Sequence, residues 1–404
     1  MAKRPAASFN ADLEEGRKKP RVTGWNKRHL YLVRDDWDKG YSIHKVDVGA
    51  LGSDALTAAR QLPDPLVLRV QAPADHRSTY FAAMGGSKLL IMHTLREEEE
   101  APPAFVYDTA TAALAIGPRP SRALRDGFHA AVTVAGKLYT LRLRRQGQPH
   151  SFEVLSRSPP RPYTDSRWSG KVEGWFWETV ASPPPFDCNA FIEGYAVHPD
   201  GRTIFVSAER MTIVDRTEPG TYSFDTRACE WRRRGDWMLP FQGEGLYDAR
   251  LNTWVGLRDD GFLCACDIPS CDDDGAASMT PAPNWRVGKD MVFRKLPRIA
   301  AEVALVAVDH GEYCVIELRP PEGVDMLAVG DDGRRVVHVS VFNLRYNEAG
   351  ELQTTNHRRA MSFGVTKHDG CLMPKDSGCE RLWLAMAQLL RAPAVWCQTE
   401  PFAQ

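Results

Sequence analysis

From about Leu30 to about Ser362 the chain is a succession of short segments rich in β-branched and aromatic side chains. The early ones read LYLV (30–33), YSIHKVDV (41–48), LVLRV (66–70), YFAAM (80–84) and KLLIMHT (88–94). Later come KLYTLRL (137–143), TIFVSA (203–208), FLCACDI (262–268), EYCVIEL (312–318) and RVVHVSVFNL (335–344). Each is bounded by Gly, Pro, Asp or Asn, the residues that reverse a chain, and Asp-Gly pairs stand at 200–201, 260–261 and 332–333. The 28 prolines and 31 glycines are assigned to the loops between segments. Roughly 22 to 25 strands result, with no convincing helical pattern before residue 380. So many strands in one run point to a pair of sandwiches, a large barrel or a propeller.

Internal repetition separates these. Three octapeptides share an aromatic residue, Asp, a small residue, four variable positions and then Leu or Trp: Tyr107–Leu114, Phe224–Trp231 and Tyr247–Trp254. Each reads as the end of a strand, a turn in which Asp caps the backbone, and the start of the antiparallel neighbour. The first two begin 117 residues apart, which is two units of about 58. The third begins 23 residues after the second and is read as the next hairpin in line, not the equivalent one.

Residues 107–141, YDTATAALAIGPRPSRALRDGFHAAVTVAGKLYTL, resemble a kelch repeat. The order is a Tyr-Asp turn, a strand, a Pro-rich crossing loop, His129-Ala-Ala-Val132, a short turn and Gly136-Lys-Leu-Tyr139. The diglycine of that family is replaced by Arg142-Leu-Arg144-Arg145, which makes the repeat degenerate. A longer series is similar to the kelch-like proteins of grasses that carry a plant domain of unknown function. It comprises YDTATAAL with GPRP, Gly194–Gly201, Tyr222–Thr226, Gly235–Phe241 and Gly245-Leu-Tyr-Asp with Trp254–Leu257. This resemblance spans roughly residues 30–345; it implies a β-propeller and no established biochemical activity. At four strands per blade six blades of about 56 residues are preferred and seven are possible. The expected organisation is a flexible basic tail over 1–28, an all-β single propeller over 29–367, and a C-terminal tail over 368–404. That tail is expected to carry a short helix at Arg381–Leu390, built from good helix formers and ending before Pro393. The ring should close by pairing the 30–48 segments with a strand near His338–Leu344 or Arg359–Phe363.

Charge narrows the partners. With 51 Lys+Arg against 52 Asp+Glu the net charge is −1, which argues against direct nucleic-acid binding and against a polybasic membrane binder. No membrane span is expected, since the longest mostly apolar stretch, Ile299–Val308, is far too short. The start, MAKRPAASFNADLEEG, lacks the apolar core of a signal peptide. The nine cysteines, an odd number with none before Cys188, are therefore read as thiols. Cys264, Cys266 and Cys271 form the one cluster; the spacing puts the first two on one strand face, and core packing is favoured over ligation.

No nucleophile elbow, P-loop, HExxH or complete GxGxxG occurs, so neither a catalytic nor a cofactor site is assigned. The histidines show no metal spacing, and no metal site is assigned either; His129, opening a strand, is expected in the core or the channel. Acid-rich runs at Asp35-Asp36-Trp37-Asp38, 259–260, 272–274 and 331–332 read as turns, not calcium loops. Trp231, Trp237, Trp254 and Trp285 read as blade core. Trp168, Trp175, Phe176 and Trp177 lie in an aromatic stretch followed by Pro183-Pro184-Pro185; it either packs between blades or anchors a partner. Lys3-Arg4 and Arg17-Lys18-Lys19-Pro20-Arg21 have the form of a bipartite nuclear import signal, two basic clusters reaching acidic pockets of an import receptor. A plain solubilising tail is the competing, slightly favoured reading of the same residues. The resulting expectation is a non-enzymatic protein-interaction module, a propeller adaptor or scaffold in the nucleus or cytoplasm. A glycan hydrolase or oxidase with its site at the channel mouth is the alternative.

Overall fold

The computed structural model describes residues 29–36, 40–51, 59–63, 65–71, 79–94, 101–124, 127–142, 150–157, 174–186, 190–210, 219–271, 279–294, 302–309, 311–319, 335–355, 359–365 and 388–390. Among them the only helical elements are two single 3-10 turns, and no helix is long and apolar enough to cross a membrane.

The strands fall largely in chain order into antiparallel groups of about four. The first sheet holds β1 (His29–Asp35), β2 (Tyr41–Asp47) and β3 (Leu68–Val70), with β25 (Gln388–Leu390) beside β1. The second is β4 (Thr79–Ala83), β5 (Lys88–His93), β6 (Phe105–Asp108) and β7 (Ala113–Ile116). The third is β8 (Ala130–Val134), β9 (Lys137–Arg142), β10 (Ser151–Ser156) and β11 (Phe176–Thr179). An eight-stranded sheet comes next. One half is β12 (Ala190–Val197), β13 (Thr203–Arg210), β14 (Gly220–Asp225) and β15 (Glu230–Gly235). The other half is β16 (Gln242–Asp248), β17 (Thr253–Leu257), β18 (Phe262–Asp267) and β19 (Trp285–Met291). The last sheet is β20 (Glu302–Asp309), β21 (Glu312–Arg319) and β22 (Arg335–Tyr346), whose outer edge is shared by β23 (Leu352–Thr354) and β24 (Arg359–Val365). Strand pairing is antiparallel throughout except between β12 and β16, where Tyr195 stands opposite Glu244. The eight-stranded sheet divides at that parallel contact, so the described strands make six successive antiparallel runs.

The packing closes these runs into a ring. Along β1, Leu30 and Leu32 enter a cluster with Val306, Ile316 and Val339 of the last sheet, while Tyr31 and Val33 enter one with Phe81, Leu89 and Ile91 of the second. Along β18, Cys264 and Cys266 face the fourth run with Phe205 and Trp254, while Leu263 and Ala265 face the last sheet with Tyr313 and Phe342. Further clusters join the second run to the third and the third to the fourth. Successive side chains of a strand thus bury on opposite faces, which is why the segments read as continuous apolar runs. Each sheet is covered on both faces by its neighbours, and the first packs on the last. This is an all-β propeller.

The channel is lined by first strands: β4 touches β8, β8 touches β12, β16 touches β20, and β20 touches β25. Fourth strands form the rim, and all four residues of β7 are exposed.

Several sequence expectations change here. Ring closure uses β25, paired through Leu30–Leu389 and Tyr31–Gln388, not the 338–344 or 359–363 strands. Those strands belong to the last sheet, where β22 already has β21 on one edge and β23 and β24 on the other. A trace of the expected contact survives as a parallel bridge between Arg60 and Phe363. The expected helix at 381–390 is a strand over its last three residues, because the free edge of β1 offers hydrogen bonds that outweigh a local helical preference; the remainder lies outside the described residues. His129 is exposed, which removes the core reading and leaves the channel one, as it directly precedes innermost β8. Trp285 is 46% exposed on β19, the outermost strand of its sheet, and the Arg258 guanidinium lies over its ring at 5.1 Å.

Candidate functional site

The two ends of the ring are built differently. At the hairpin end, first strands turn tightly into second strands at 84–87, 135–136, 198–202 and 249–252. At the crossover end, the chain passes from an outermost strand to the next innermost one, as over 236–241 between β15 and β16.

That crossing builds a cleft. Residues 236–241, Asp-Trp-Met-Leu-Pro-Phe, are pinned by buried hydroxyls. The Leu239 N–H donates to Ser207 Oγ (2.9 Å), Ser207 Oγ lies 2.7 Å from Thr221 Oγ1, and Thr221 Oγ1 donates to the Trp237 carbonyl (2.6 Å). Trp237 Nε1 donates to the Thr280 carbonyl at 2.8 Å. The Phe241 ring fills space vacated by missing side chains, since a methyl group at Gly245 or Gly256 would collide with it. Above this floor opens a cleft of about 300 Å³ lined by Met238, Leu239, Pro240 and Phe241, with Glu193, Glu209, Gln242, Arg258 and Asp259 around it. Arg258 is committed elsewhere: it forms a two-pronged pair with Asp260 at 2.8 to 3.2 Å, which raises its own pKa and is the main cause that lowers that of Asp260. Gln242 donates to Glu193 at 3.4 Å. The cleft therefore presents an apolar floor beneath a predominantly acidic rim.

One step down the channel stands Glu244. Burial pushes its carboxyl up to about 7. Opposite it, burial raises the Tyr195 hydroxyl far above its ordinary value, so the tyrosine stays protonated.

The aromatic stretch lands elsewhere. Phe176 and Trp177 lie on β11, the outermost strand of the third sheet, and Trp175 directly precedes it. Trp175 and Trp177 are half-buried against the cluster between the second and third sheets, and the Trp177 Nε1 is buried with no acceptor among the described residues. Phe176 is half-buried as well. Trp168 lies outside the described residues, as do Lys3, Arg4, Arg17, Lys18, Lys19 and Arg21. The cysteine cluster shares one core: Cys264 and Cys266 are buried in it, and Cys271 packs against it while also approaching His198 and Asp200 at the hairpin end.

Residues 27–363 match the family described as "Protein of unknown function (DUF1668)". The chain belongs to this family. No curated protein matches it. Among solved structures, TolB from Acinetobacter baumannii is similar at 10% identity and a TM-score of 0.41, over 84% of this chain and 64% of that one. The chain thus spans less than two thirds of TolB. A crystal structure of a nidogen/laminin complex is similar at 10% identity and a TM-score of 0.37, over 85% of this chain and 100% of that one. The β-propeller domain of Cps50 (Swd1) from Myceliophteria thermophila is similar at 9% identity and a TM-score of 0.35, over 80% and 84%.

Sequence reading missed the cleft because its parts, from Glu193 to Asp259, come from separate strands. Its one local signal is Gly245, whose missing side chain makes room for Phe241.

Proposed function

We propose that this member of the family is a non-enzymatic protein-interaction module, a kelch-like propeller serving as adaptor or scaffold, and that its partner docks at the crossover end. The observation that carries this reading is the cleft beside Phe241: a rigid apolar floor under Glu193, Glu209 and Asp259 fits an amphipathic basic side chain, whose stem lies on the floor while its charge meets the rim. The partner is accordingly a protein segment bearing exposed Lys or Arg. Trp175, Phe176 and Trp177, at the opposite end, form a second contact surface only to the extent that their packing leaves them uncovered. The basic clusters at 3–4 and 17–21 add nuclear import to this role.

Affinity purification of the tagged full-length protein, followed by mass spectrometry, is compared with the triple variant Glu193→Gln, Glu209→Gln, Asp259→Asn. A partner recovered stoichiometrically by the wild type and lost by the variant, with binding weakened by salt, is the expected result. A partner retained equally by both overturns the cleft as the docking site. One observation favours the enzymatic alternative, namely Glu244, a carboxyl poised near neutrality in the channel as a general acid requires. Hydrolysis of a glycan substrate that Glu244→Gln abolishes would establish that reading instead.

A further inference from the structure

We infer that His198, Asp200 and Cys271 form a binding site for a zinc-class divalent metal ion at the hairpin end, between the fourth and fifth runs of strands. One ring nitrogen of His198, a carboxylate oxygen of Asp200 and Cys271 Sγ all lie within 4.8 Å of one another. Two of the three already stand at ligand spacing: His198 Nδ1 is 3.3 Å from Asp200 Oδ2, and zinc bonds of 2.0 to 2.2 Å at a tetrahedral angle set such an edge at about 3.4 Å. Closing Cys271 onto them takes a side-chain movement of about 1 Å, given a zinc–sulfur bond of about 2.3 Å.

The surroundings hold the ligands in place. The His198 ring is flanked by Phe205 and Trp254, with centroids at 6.0 and 6.4 Å, and Trp254 Nε1 anchors the strand end by donating to the Val197 carbonyl at 2.9 Å. The Asp200 N–H donates to His198 Nδ1 at 3.2 Å, which leaves the ring proton on Nε2; this bond uses the Nδ1 lone pair and is exchanged for the metal bond when the ion enters. Asp200 Oδ1 accepts the N–H groups of Arg202 and Thr203 at 2.9 Å, and Thr203 Oγ1 donates to Oδ2 at 2.7 Å, which orients the carboxylate as an outer shell does. Cys271 is a free thiol. Burial raises its pKa, so it carries its proton until a metal displaces that proton to solvent. Nitrogen, oxygen and sulfur donors together select zinc over magnesium or calcium and leave a fourth position for water. Arg202 is the competitor: its Nε lies 3.4 Å from Asp200 Oδ2, on a side chain 49% exposed and able to swing away.

The test titrates the full-length protein with Co²⁺, followed by its thiolate charge-transfer absorption, and with Zn²⁺ by calorimetry. One equivalent is expected to bind with the absorption band present, the band is lost in Cys271→Ser, and binding is weakened in His198→Ala. Arg202→Ala keeps all three ligands and removes the competing cation, so it is expected to bind more tightly; it also serves if the ligand variants fail to fold. No metal uptake, or a band and affinity that Cys271→Ser and Arg202→Ala leave unchanged, overturns the site.

Discussion

Glu244 shows how much a single position owes to its neighbours. A glutamate between two glycines carries no sign of a raised pKa in its sequence. The shift arises because β12 and β16 run side by side at the channel and burial disfavours the charged form. A carboxyl lifted from its ordinary 4.5 to about 7 keeps its proton longer in the folded state than in the unfolded one. Stability contributed by this group is therefore full below about 4.5, falls as pH rises towards about 7, and is level above. Glu244→Gln, neutral at every pH, is expected to flatten that part of the profile. Melting temperatures at pH 5 and pH 8 check it: the wild type loses more between the two than the variant, and equal losses would show that Glu244 does not titrate there. The Asp residues of the turns were far more legible than this glutamate, because an Asx turn is written in four or five consecutive residues, whereas the cleft and channel are written in residues that meet only after folding.

At the scale of the element, the three octapeptides fold into the same turn. Asp108 Oδ1 accepts the Ala110 N–H at 3.0 Å, Asp225 Oδ1 accepts that of Arg227 at 2.7 Å, and Asp248 Oδ1 accepts that of Arg250 at 2.8 Å. Four residues after each Asp the backbone takes a left-handed φ, 55° at Ala112, 58° at Cys229 and 51° at Asn252. The first two turns join third to fourth strands two sheets apart, and the last joins a first to a second strand, as the spacing implied. Asn adopts this backbone at less cost than Ala, a difference of about 1 kcal/mol. Ala112→Asn is thus expected to stabilise by roughly 0.5–1 kcal/mol, and Asn252→Ala to destabilise by about as much or slightly more, since Asn252 also accepts the Tyr247 hydroxyl. Urea midpoints decide: shifts in the same direction would mean that the turns are not equivalent. Strands proved readable because their apolar runs bury on both faces. The closing strand did not, because Gln388–Leu390 sits among good helix formers and only the waiting edge of β1, most of the chain away, makes it a strand.

For the whole molecule, that three-residue strand is what seals the inner edge of the first sheet. A chain stopping at Ala387 keeps the hydrophobic packing of the first sheet on the last, including Leu30 and Leu32, but loses the pairing. A melting temperature lower by several degrees is expected, with faster amide exchange concentrated in β1; unchanged protection there would show that packing alone holds the ring shut. The arrangement also sets an order of events at birth. β1 leaves the ribosome long before its closing partner β25 is made, and at about 5–20 residues per second the wait lasts some tens of seconds. Throughout that interval the nascent chain carries an unsatisfied strand edge, so a newly made copy depends on chaperone cover or on dilution from its siblings until β25 arrives.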